Sequence, residues 1–333
     1  MSRSIAVVIP CFRVRSHIVD VVRGIPDWVS HIFVVDDACP EQSGRFLQQH
    51  CQDPRLRLVF QSVNGGVGGA TIAGYLAALE AGCEIVVKMD GDGQMDPSCM
   101  ARLLHPILDG HADFTKGNRF YDLRALRQMP LLRRVGNLGL TLLTKAASGF
   151  WHVSDPTNGY TAIHRTALTL LNLESVSRCY FFESSMLINL NVIRATVIDI
   201  PIPARYGNEK SSLNVWRALF GFPPRLVLGL VHRLVWRYFI YDINAVTILM
   251  TVGSMLTGAG IAFGVFHWIQ GASRNELQSM GTIALAMLPI ILGFQMLLQA
   301  MLLDVVDKPV SPLSRLLRDD TPGSAPDTSQ TCA

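Results

Sequence analysis

Residues 86–96 read VVKMDGDGQMD and are the most informative part of this chain. The first of them are apolar and suit a buried strand, which brings Asp90 and Asp92 to its carboxyl end. Gly91, between them, lets backbone and ligand approach closely. Alternate residues of an extended chain point the same way, so both carboxylates and Gln94 can face one point. Such oxygen ligands suit Mg²⁺ or Mn²⁺ held against a diphosphate, and the alternative is a solvated turn.

The first half of the chain alternates between strand and helix patterns. Short apolar runs predict strands at residues 5–9, 32–35, 56–60 and 85–89. Apolar residues at helical spacing predict helices at residues 16–25 and 68–81. This alternation predicts an α/β fold with a mainly parallel, Rossmann-like sheet and helices on both faces. Ligands of such sheets bind beyond the carboxyl ends of the strands. The side chains expected in that crevice are Pro10, Phe12, Asp36, Asp37, Asp90 and Asp92.

A glycine-rich run, NGGVGGA at residues 64–70, follows the third predicted strand and opens a helix. Backbone amides at a helix N-terminus can bind phosphate, and Gly68 would be such a contact. The run lacks the Lys-Ser/Thr of a P-loop and the third glycine of the dinucleotide fingerprint. We therefore favour a tight turn with close packing of the helix on the sheet, and phosphate contact remains the alternative.

Two stretches near the C-terminus contain no Asp, Glu, Lys or Arg, with 27 residues at 243–269 and 23 at 281–303. Each is long enough to cross a hydrocarbon core of about 30 Å. They predict a transmembrane hairpin with spans at about 243–269 and 280–303, rather than two buried helices of a soluble protein. Lys and Arg flank the hairpin, whereas the connecting loop has only Arg274. The positive-inside rule therefore predicts that both termini, and with them the α/β part of the chain, are cytoplasmic.

Residues 213–241 contain aromatic side chains among several arginines. This composition predicts amphipathic helices at the membrane interface, interrupted by Pro223 and Pro224, and the alternative is packing under the preceding domain. Residues 305–333 follow the hairpin and are rich in Ser, Thr, Pro and Asp from residue 319 onward. We expect them to form a cytoplasmic, disordered tail.

Composition excludes several other classes of protein. The net charge of +3 and the lack of a basic run with interleaved aromatics argue against a nucleic-acid partner. The seven cysteines form no CxxC pair, so neither a zinc site nor a disulfide framework is indicated. Residues 1–10 hold one short apolar run, which suits a first buried strand better than a secretory signal.

In their order, the motifs resemble those of family 2 inverting glycosyltransferases of the GT-A fold, and most of all the polyprenyl-phosphate branch. That branch includes dolichyl-phosphate mannosyltransferases and bacterial polyprenyl-phosphate glucosyltransferases. The matching motifs are VVIPCF at 7–12, VVDD at 34–37, the run at 64–74, MDGDGQ at 89–94, GNRF at 117–120, RRVGN at 133–137, DPTNGY at 155–160, FE at 182–183, ARYG at 204–207 and KSS at 210–212. The two-helix anchor also matches that branch.

The resemblance implies a GT-A catalytic domain at 1–212, amphipathic juxtamembrane helices at 213–241, the transmembrane hairpin at 242–304 and the tail at 305–333. It implies transfer of a hexose from a nucleotide-diphosphate sugar to polyprenyl phosphate, dolichyl or undecaprenyl, at the cytoplasmic face of the cell membrane. The setting would be cell envelope glycan biosynthesis. By analogy with the branch, the hairpins would associate into a homo-oligomer, a tetramer.

The resemblance also implies roles for individual residues. The implied donor contacts are Pro10, Phe12, Asp36, Asp37, Gly68, Asp90 and Gly91. The implied ligands of Mg²⁺ or Mn²⁺ are Asp90, Asp92 and Gln94. The implied contacts of the acceptor phosphate are Arg119, Arg133, Arg134, Arg205, Lys210 and Ser211, because guanidinium and ammonium groups match phosphate oxygens. The implied catalytic residues are Asp92, Asp155 and Glu183.

For the last two carboxylates the chemistry of the acceptor leaves alternatives open. A lipid phosphate is already anionic near neutral pH, so we expect Asp155 to orient an arginine or the sugar rather than to remove a proton. For Glu183 an ion-pair or helix-terminal role stands beside catalysis. Gly91 and Gly93 replace the residues common in mannosyltransferases of the branch, which leaves the sugar open. The rival functions are transfer to another membrane lipid and a non-catalytic scaffold that binds sugar nucleotides.

Overall fold

A computed structural model describes residues 3–121, 131–203 and 215–317, with the backbone alone at residues 131–137 and 215–220. The chain divides into two units. The first consists of Met1–Asn137, Val153–Ser212 and Pro309–Ala333, and the second of Leu138–His152 and Leu213–Lys308.

The described part of the first unit contains a sheet of seven strands. These are β1 (Ile5–Cys11), β2 (His31–Asp36), β3 (Leu56–Phe60), β4 (Ile85–Lys88), β5 (Phe114–Asn118), β6 (Thr161–His164) and β7 (Val197–Pro201), in the order β3-β2-β1-β4-β6-β5-β7. Neighbouring strands are parallel except that β6 runs antiparallel to both β4 and β5. The predicted α/β fold with a mainly parallel sheet is confirmed, and the reversed strand β6 was not foreseen.

Helices connect the strands and continue into the second unit. They are α1 (Ile18–Arg23), α2 (Ser43–His50), α3 (Gly66–Glu80), α4 (Met100–Leu108), α5 (Leu131–Ser148), α6 (Arg165–Leu170), α7 (Phe182–Val192), α8 (Val215–Val235), α9 (Ala245–Arg274), α10 (Met280–Val306) and α11 (Leu313–Leu316). A π-helical segment, Trp236–Tyr241, follows α8. One apolar core combines the central strands β1, β2 and β4 with α1 and α4, because these strands are buried on both faces.

Strand β1 continues past Pro10, where the sequence predicted its end. The carbonyl of Val8 accepts a hydrogen bond from the N–H of Met89, so Val8 and Pro10 both direct their backbone polar groups toward β4. The ladder with β4 ends at Lys88, and Pro10 pairs with β2 alone. The missing N–H of proline therefore costs no ladder hydrogen bond here.

The segment after the second apolar helix corrects the prediction of a disordered tail at 305–333. Helix α11 begins at a buried carboxylate of the first unit, Asp113. Its Oδ2 accepts from the N–H of Leu313 at 2.8 Å and from the N–H of Thr196 at 2.9 Å, and its Oδ1 accepts from the N–H of Ser314 at 3.0 Å. A carboxylate that holds three amides orders this segment. Residues 318–333 of the predicted tail lie outside the described residues.

In the second unit, α8 continues through Pro223 and Pro224, so the predicted interruption is wrong. The pair removes two backbone donors, but Phe222 and Leu226 are buried on either side of it. Packing of an apolar face contributes more to helix stability in proteins than local propensity does, and it holds the helix together across the prolines.

Helices α9 and α10 are long and apolar enough to cross a membrane. Only 11% and 6% of their most apolar windows are buried, so they are unlike core helices of a soluble protein. Helix α9 extends to Arg274, beyond the predicted start of the loop, and ends at Asn275 in the left-handed conformation. The helices pack closely, since a Cβ at Gly253 would lie 2.9 Å from the carbonyl oxygen of Gly293.

A buried arginine, Arg233, joins three elements of the second unit. Its Nη1 and Nη2 donate to the carboxylate of Asp304 near the end of α10, at 2.7 and 2.8 Å. Its Nε donates to the carbonyl of Ala147 at the end of α5, at 2.9 Å. The hydroxyl of Tyr238 also donates to Asp304, at 2.6 Å. The two-pronged geometry compensates the burial of both charges.

We expect Asp304→Ala to destabilise the second unit by about 3 kcal/mol, because it leaves the Arg233 guanidinium buried without its counter-charge. The measurement is the midpoint of thermal unfolding in detergent. The matched control is Asp242→Ala, which removes an exposed carboxylate of the same unit that accepts a hydrogen bond from Asn244, and should cost less than about 1 kcal/mol. Equal losses in the two variants would contradict the assignment.

Candidate active site

A cavity of about 110 Å³ lies in the first unit at the carboxyl edge of the sheet. Strands β4 and β5 end there, and residues 157–160 reach the same edge because β6, which they precede, runs in the opposite direction. The start of α7 and the residues that follow β7 complete the lining. The polar residues that line the cavity are Asp90, Asp92, Gln94, Asp96, Arg119, Thr157, Asn158, Tyr160 and Glu183.

The predicted metal ligands Asp90, Asp92 and Gln94 all lie on this cavity. The turn that carries them is held by a hydrogen bond from the N–H of Gln94 to Oδ1 of Asp92, at 3.0 Å. Oδ1 of Asp90 pairs with Nζ of Lys88 at 2.7 Å. Both carboxylates thus line one cavity, although residues 91–93 form a turn rather than the extended chain from which this was predicted.

The sequence analysis assigned no role to Lys88, yet its buried ammonium pairs with two carboxylates of the cavity. It is 1% exposed, and its Nζ contacts Oε1 of Glu183 at 3.3 Å as well as Asp90. Burial alone would lower the pKa of Lys88, but the two carboxylates outweigh it and raise the pKa above its ordinary value. Glu183, in the first turn of α7, therefore has the ion-pair role considered for it, and its catalytic role stays a prediction.

Asp155 is fully buried and forms a two-pronged pair with Arg119. Nε of Arg119 donates to Oδ2 at 2.8 Å, and Nη2 donates to Oδ1 at 3.1 Å. The backbone N–H of Arg119 adds a third hydrogen bond, at 3.2 Å. The arginine is thereby fixed at the rim of the cavity, with its side chain 36% exposed. The expected contact between Asp155 and an arginine is present, and its part in catalysis stays a prediction.

A second buried lysine, Lys116 on β5, donates to the backbone carbonyl of Asn158. Burial lowers its pKa to about 8, and the nearby carboxylates of Glu183 and Asp155 only partly oppose this. Asn158 itself donates from Nδ2 to the carbonyl of Gly117 at 2.8 Å. Strand β5 thus holds the loop before β6 against the cavity.

The two predicted nucleoside contacts at the carboxyl end of β2, Asp36 and Asp37, accept hydrogen bonds from backbone amides. Oδ1 and Oδ2 of Asp36 accept from the N–H groups of Cys39 and Gly44, at 2.8 and 2.7 Å. Oδ1 of Asp37 accepts from the N–H of Gly65 at 2.6 Å. Both aspartates are buried, and their carboxylates shape the loops after β2 and β3. Their contact with a nucleoside stays a prediction.

Of the predicted base-pocket residues, Pro10 is partly buried and Phe12 is 40% exposed. Neither lines the cavity that holds Asp90 and Asp92. Pro10 lies near the end of β1 and Phe12 directly follows it, at the same edge of the sheet. Their role in a base pocket stays a prediction.

The glycine-rich run packs against another loop rather than against the sheet. The N–H groups of Gly68 and Gly69 donate to the carbonyl of Arg178, at 2.8 and 3.1 Å, and a Cβ at Gly68 would overlap the carbonyl of Ser177. The contact of α3 with the sheet is made further along, at Gly74, where a Cβ would overlap a methyl of Val8. Phosphate contact by Gly68 stays a prediction.

The predicted acceptor contacts are covered unevenly by the structure. Arg119 lies on the cavity, and Arg133 and Arg134 fall on the first turn of α5, where the backbone alone is described. Three further predicted residues, Arg205, Lys210 and Ser211, lie outside the described residues.

The donor set fits a hard divalent cation. Within the described ranges no three His, Cys, Asp or Glu side chains are grouped to hold a metal, so the chain offers two carboxylates and the amide oxygen of Gln94. Mg²⁺ is typically held by one or two carboxylates together with substrate phosphates and water. The remaining ligands would therefore come from the substrate.

A mixed α/β sheet of this order, with a pair of carboxylates just beyond β4, defines a GT-A-type glycosyltransferase domain. In agreement, residues 6–171 match Glycosyl transferase family 2, so the chain carries a glycosyltransferase domain of that family.

The chain is similar to several known proteins, among them two enzymes compared by sequence and one solved structure. The UDP-N-acetylglucosamine–dolichyl-phosphate N-acetylglucosaminyltransferase of Methanococcus voltae is 27% identical over 66% of this chain and 92% of its own. The undecaprenyl-phosphate mannosyltransferase of Micrococcus luteus is 29% identical over 52% of this chain and 71% of its own. Glucosyl-3-phosphoglycerate synthase of Mycobacterium tuberculosis, solved with UDP, has a TM-score of 0.52 at 19% identity, covers 69% of this chain and 80% of its own, and shares the fold.

We expect Gly159→Ala to destabilise the first unit by about 1–3 kcal/mol, since its Cβ would overlap Nζ of Lys88 and lie 2.9 Å from Oδ2 of Asp90. Thermal unfolding in detergent measures the loss. The control Gly258→Ala, in α9, places its Cβ where no heavy atom lies within 4 Å and should be close to neutral. If Gly159→Ala is as stable as this control, the packing around Lys88 is looser than described.

The lowered pKa of Lys116 gives a pH dependence of stability with a definite sign. Between pH 8 and about 10.5 the unfolded chain binds more protons at this site than the folded chain, so stability attributable to Lys116 rises with pH. We expect the free energy of unfolding of wild type minus that of Lys116→Met to rise by about 2 kcal/mol from pH 7.5 to pH 10. Denaturant titrations of both proteins measure it. A difference that stays constant or falls would rule out the lowered pKa.

Proposed function

We propose that this protein is a membrane-anchored, inverting glycosyltransferase that moves one hexose from a nucleotide-diphosphate sugar to a polyprenyl phosphate at the cytoplasmic face. The observation that carries the proposal is the cavity at the carboxyl edge of the sheet, where Asp90, Asp92 and Gln94 lie together with Arg119. The relatives support the acceptor class, since one acts on dolichyl phosphate and another on undecaprenyl phosphate.

Asp90, Asp92 and Gln94 would hold Mg²⁺ or Mn²⁺ against the diphosphate of the donor. The ion, when bound, neutralises charge that develops on the leaving nucleoside diphosphate. Crystals of the related glucosyl-3-phosphoglycerate synthase with Mn²⁺ and UDP, and with Mg²⁺ and UDP, support this choice of cation. The donor diphosphate would lie over the open side of the cavity, with its nucleoside toward the loops after β1 and β2.

The chemistry of a phosphate acceptor explains why no side chain has to act as a base. A phosphate monoester is anionic near neutral pH, so one of its oxygens attacks the anomeric carbon without losing a proton. As that bond forms, the bond from the anomeric carbon to the diphosphate oxygen breaks, and the nucleoside diphosphate leaves with the electron pair. Attack opposite the leaving group inverts the anomeric centre. Asp155, bonded through both oxygens to Arg119, would orient that guanidinium toward the acceptor phosphate.

The second unit supplies features that suit a membrane. Helix α8 and the π-helical segment expose apolar and aromatic side chains: Val227, Leu228, Val231, Val235, Trp236, Phe239, Ile240 and Tyr241. Such a surface favours the interface of a bilayer, while α9 and α10 have the length to cross it. We propose the organisation expected from the sequence: a catalytic domain at 1–212, interfacial helices at 213–241, two spans, cytoplasmic termini, and self-association of the hairpins.

The experiment that tests the proposal incubates the detergent-solubilised protein with undecaprenyl phosphate, Mg²⁺ or Mn²⁺, and a panel of labelled nucleotide sugars. We expect label from one donor to enter the lipid extract, and Asp92→Ala to reduce this transfer by about 100-fold or more, because a ligand of the cation is lost. The matched control is Asp109→Ala, an exposed aspartate paired with His105 outside the cavity, which should retain wild-type transfer.

Two outcomes of this experiment would refute the proposal. One is the absence of lipid-extractable label from every donor by a folded protein. The other is full transfer by Asp92→Ala, which would separate the cavity carboxylates from the reaction. Folding of each variant is checked by thermal unfolding before the assay.

A further inference from the structure

We propose that the buried ammonium of Lys88 makes divalent-cation binding at Asp90 depend on the donor diphosphate, so that cation and diphosphate bind as a pair. This inference rests on the proposed function, because it takes the cavity to be the cation and diphosphate site. It assigns Lys88 as a positioning residue, since the ammonium lies behind Asp90 and acts on the cavity through its charge.

The first step of the argument is the geometry around Lys88. Its Nζ lies 2.7 Å from Oδ1 of Asp90, so Oδ2 is the oxygen that can ligate a cation without breaking the ion pair. With metal–oxygen distances of about 2.1 Å, a cation on Oδ2 would lie roughly 5 Å from the ammonium. Two positive centres at that distance repel strongly, even at an effective dielectric constant of about 20.

The second step is that Lys88 has no room to withdraw. It is 1% exposed, and the Cα of Gly159 packs so closely that even a Cβ there would overlap Nζ. Tyr75, on α3, is fully buried and lies near enough to interact electrostatically with the ammonium. Glu183 holds Nζ from a second direction, at 3.3 Å. The charge of Lys88 is therefore a fixed part of the cavity floor.

The third step compares the charges before and after a diphosphate binds. Asp90, Asp92 and Glu183 bring negative charge to the cavity, and Lys88 removes one unit of it next to the first ligand. A cation alone meets a weakened carboxylate and a neighbouring ammonium. A diphosphate adds oxygen ligands and negative charge, which offset the repulsion from Lys88. Binding of each ligand then strengthens binding of the other by the same factor.

The arrangement has a consequence for the reaction cycle. A site that holds a cation tightly without donor would retain it after the nucleoside diphosphate has left, whereas this site would release the two together. Lys88 would also contribute positive charge beneath the leaving diphosphate when the bond to the sugar breaks. Lys88 would thus favour binding of the cation together with the donor, and release of the cation together with the nucleoside diphosphate.

The test measures Mn²⁺ affinity of the full-length protein in detergent by electron paramagnetic resonance, with and without inorganic pyrophosphate. For wild type we expect pyrophosphate to tighten Mn²⁺ binding by about tenfold or more. For Lys88→Met we expect Mn²⁺ alone to bind about tenfold more tightly than to wild type, and the effect of pyrophosphate to shrink accordingly. A role of Lys88 in folding alone would weaken Mn²⁺ binding or leave it unchanged.

The chain offers a matched control in Lys116→Met. Lys116 is equally buried beneath the same cavity, but its Nζ contacts the carbonyl of Asn158 rather than a predicted metal ligand. It should change Mn²⁺ affinity much less than Lys88→Met does. Where Lys88→Met does not fold, Lys88→Gln takes its place and is compared with wild type in the same way.

Three results would overturn the inference. They are wild-type Mn²⁺ binding that pyrophosphate does not change, unaltered or weaker Mn²⁺ binding in a folded Lys88 variant, and equal effects of the Lys88 and Lys116 substitutions. Failure of the proposed function is seen separately, as absence of transfer to lipid phosphate. Coupled binding of Mn²⁺ and pyrophosphate without transfer would support the role of Lys88 and reject the reaction.

Discussion

The ion pairs of Lys88 with Asp90 and Glu183 are the interaction on which the site depends. A buried ammonium is strongly unfavourable unless it is compensated, and the carboxylates of Asp90 and Glu183 compensate the burial of Lys88. These ion pairs tie the end of β4 to the start of α7 and leave only a glycine's room at position 159. The buried ammonium of Lys88 therefore helps to position Asp90, the first of the predicted metal ligands.

The reversal of β6 is the second constraint. Because β6 runs antiparallel to β4 and β5, the loop at residues 155–160 that precedes it lies at the edge where β4 and β5 end. Asp155 is then buried next to Arg119, and the backbone carbonyl of Asn158 meets the ammonium of Lys116. Segments far apart in sequence thus form one cavity because of a single change in strand direction.

Features that depend on neighbouring residues in the sequence were predicted correctly, whereas features that depend on contacts between distant residues were missed. Asp90 and Asp92 directly follow an apolar run typical of a strand, and each of the two long apolar helices is marked by an uncharged stretch of sufficient length, so both features were predictable. The roles of Lys88 and Asp113 were not, because they depend on contacts with residues about 95 and 200 positions away. The continuation of α8 through its prolines likewise reflects burial of Phe222 and Leu226, which local propensity does not contain.

The two buried lysines show how one cavity floor obtains charges of different character. Lys88 contacts two carboxylates, and its pKa is raised despite burial, whereas Lys116 contacts a neutral carbonyl, and burial lowers its pKa to about 8. Positive charge is consequently fixed under Asp90 and only weakly held under Asn158. A cation and a diphosphate bound as proposed would therefore meet more positive charge near Asp90 than near Asn158. The contact partner of each ammonium, more than its burial, determines this difference.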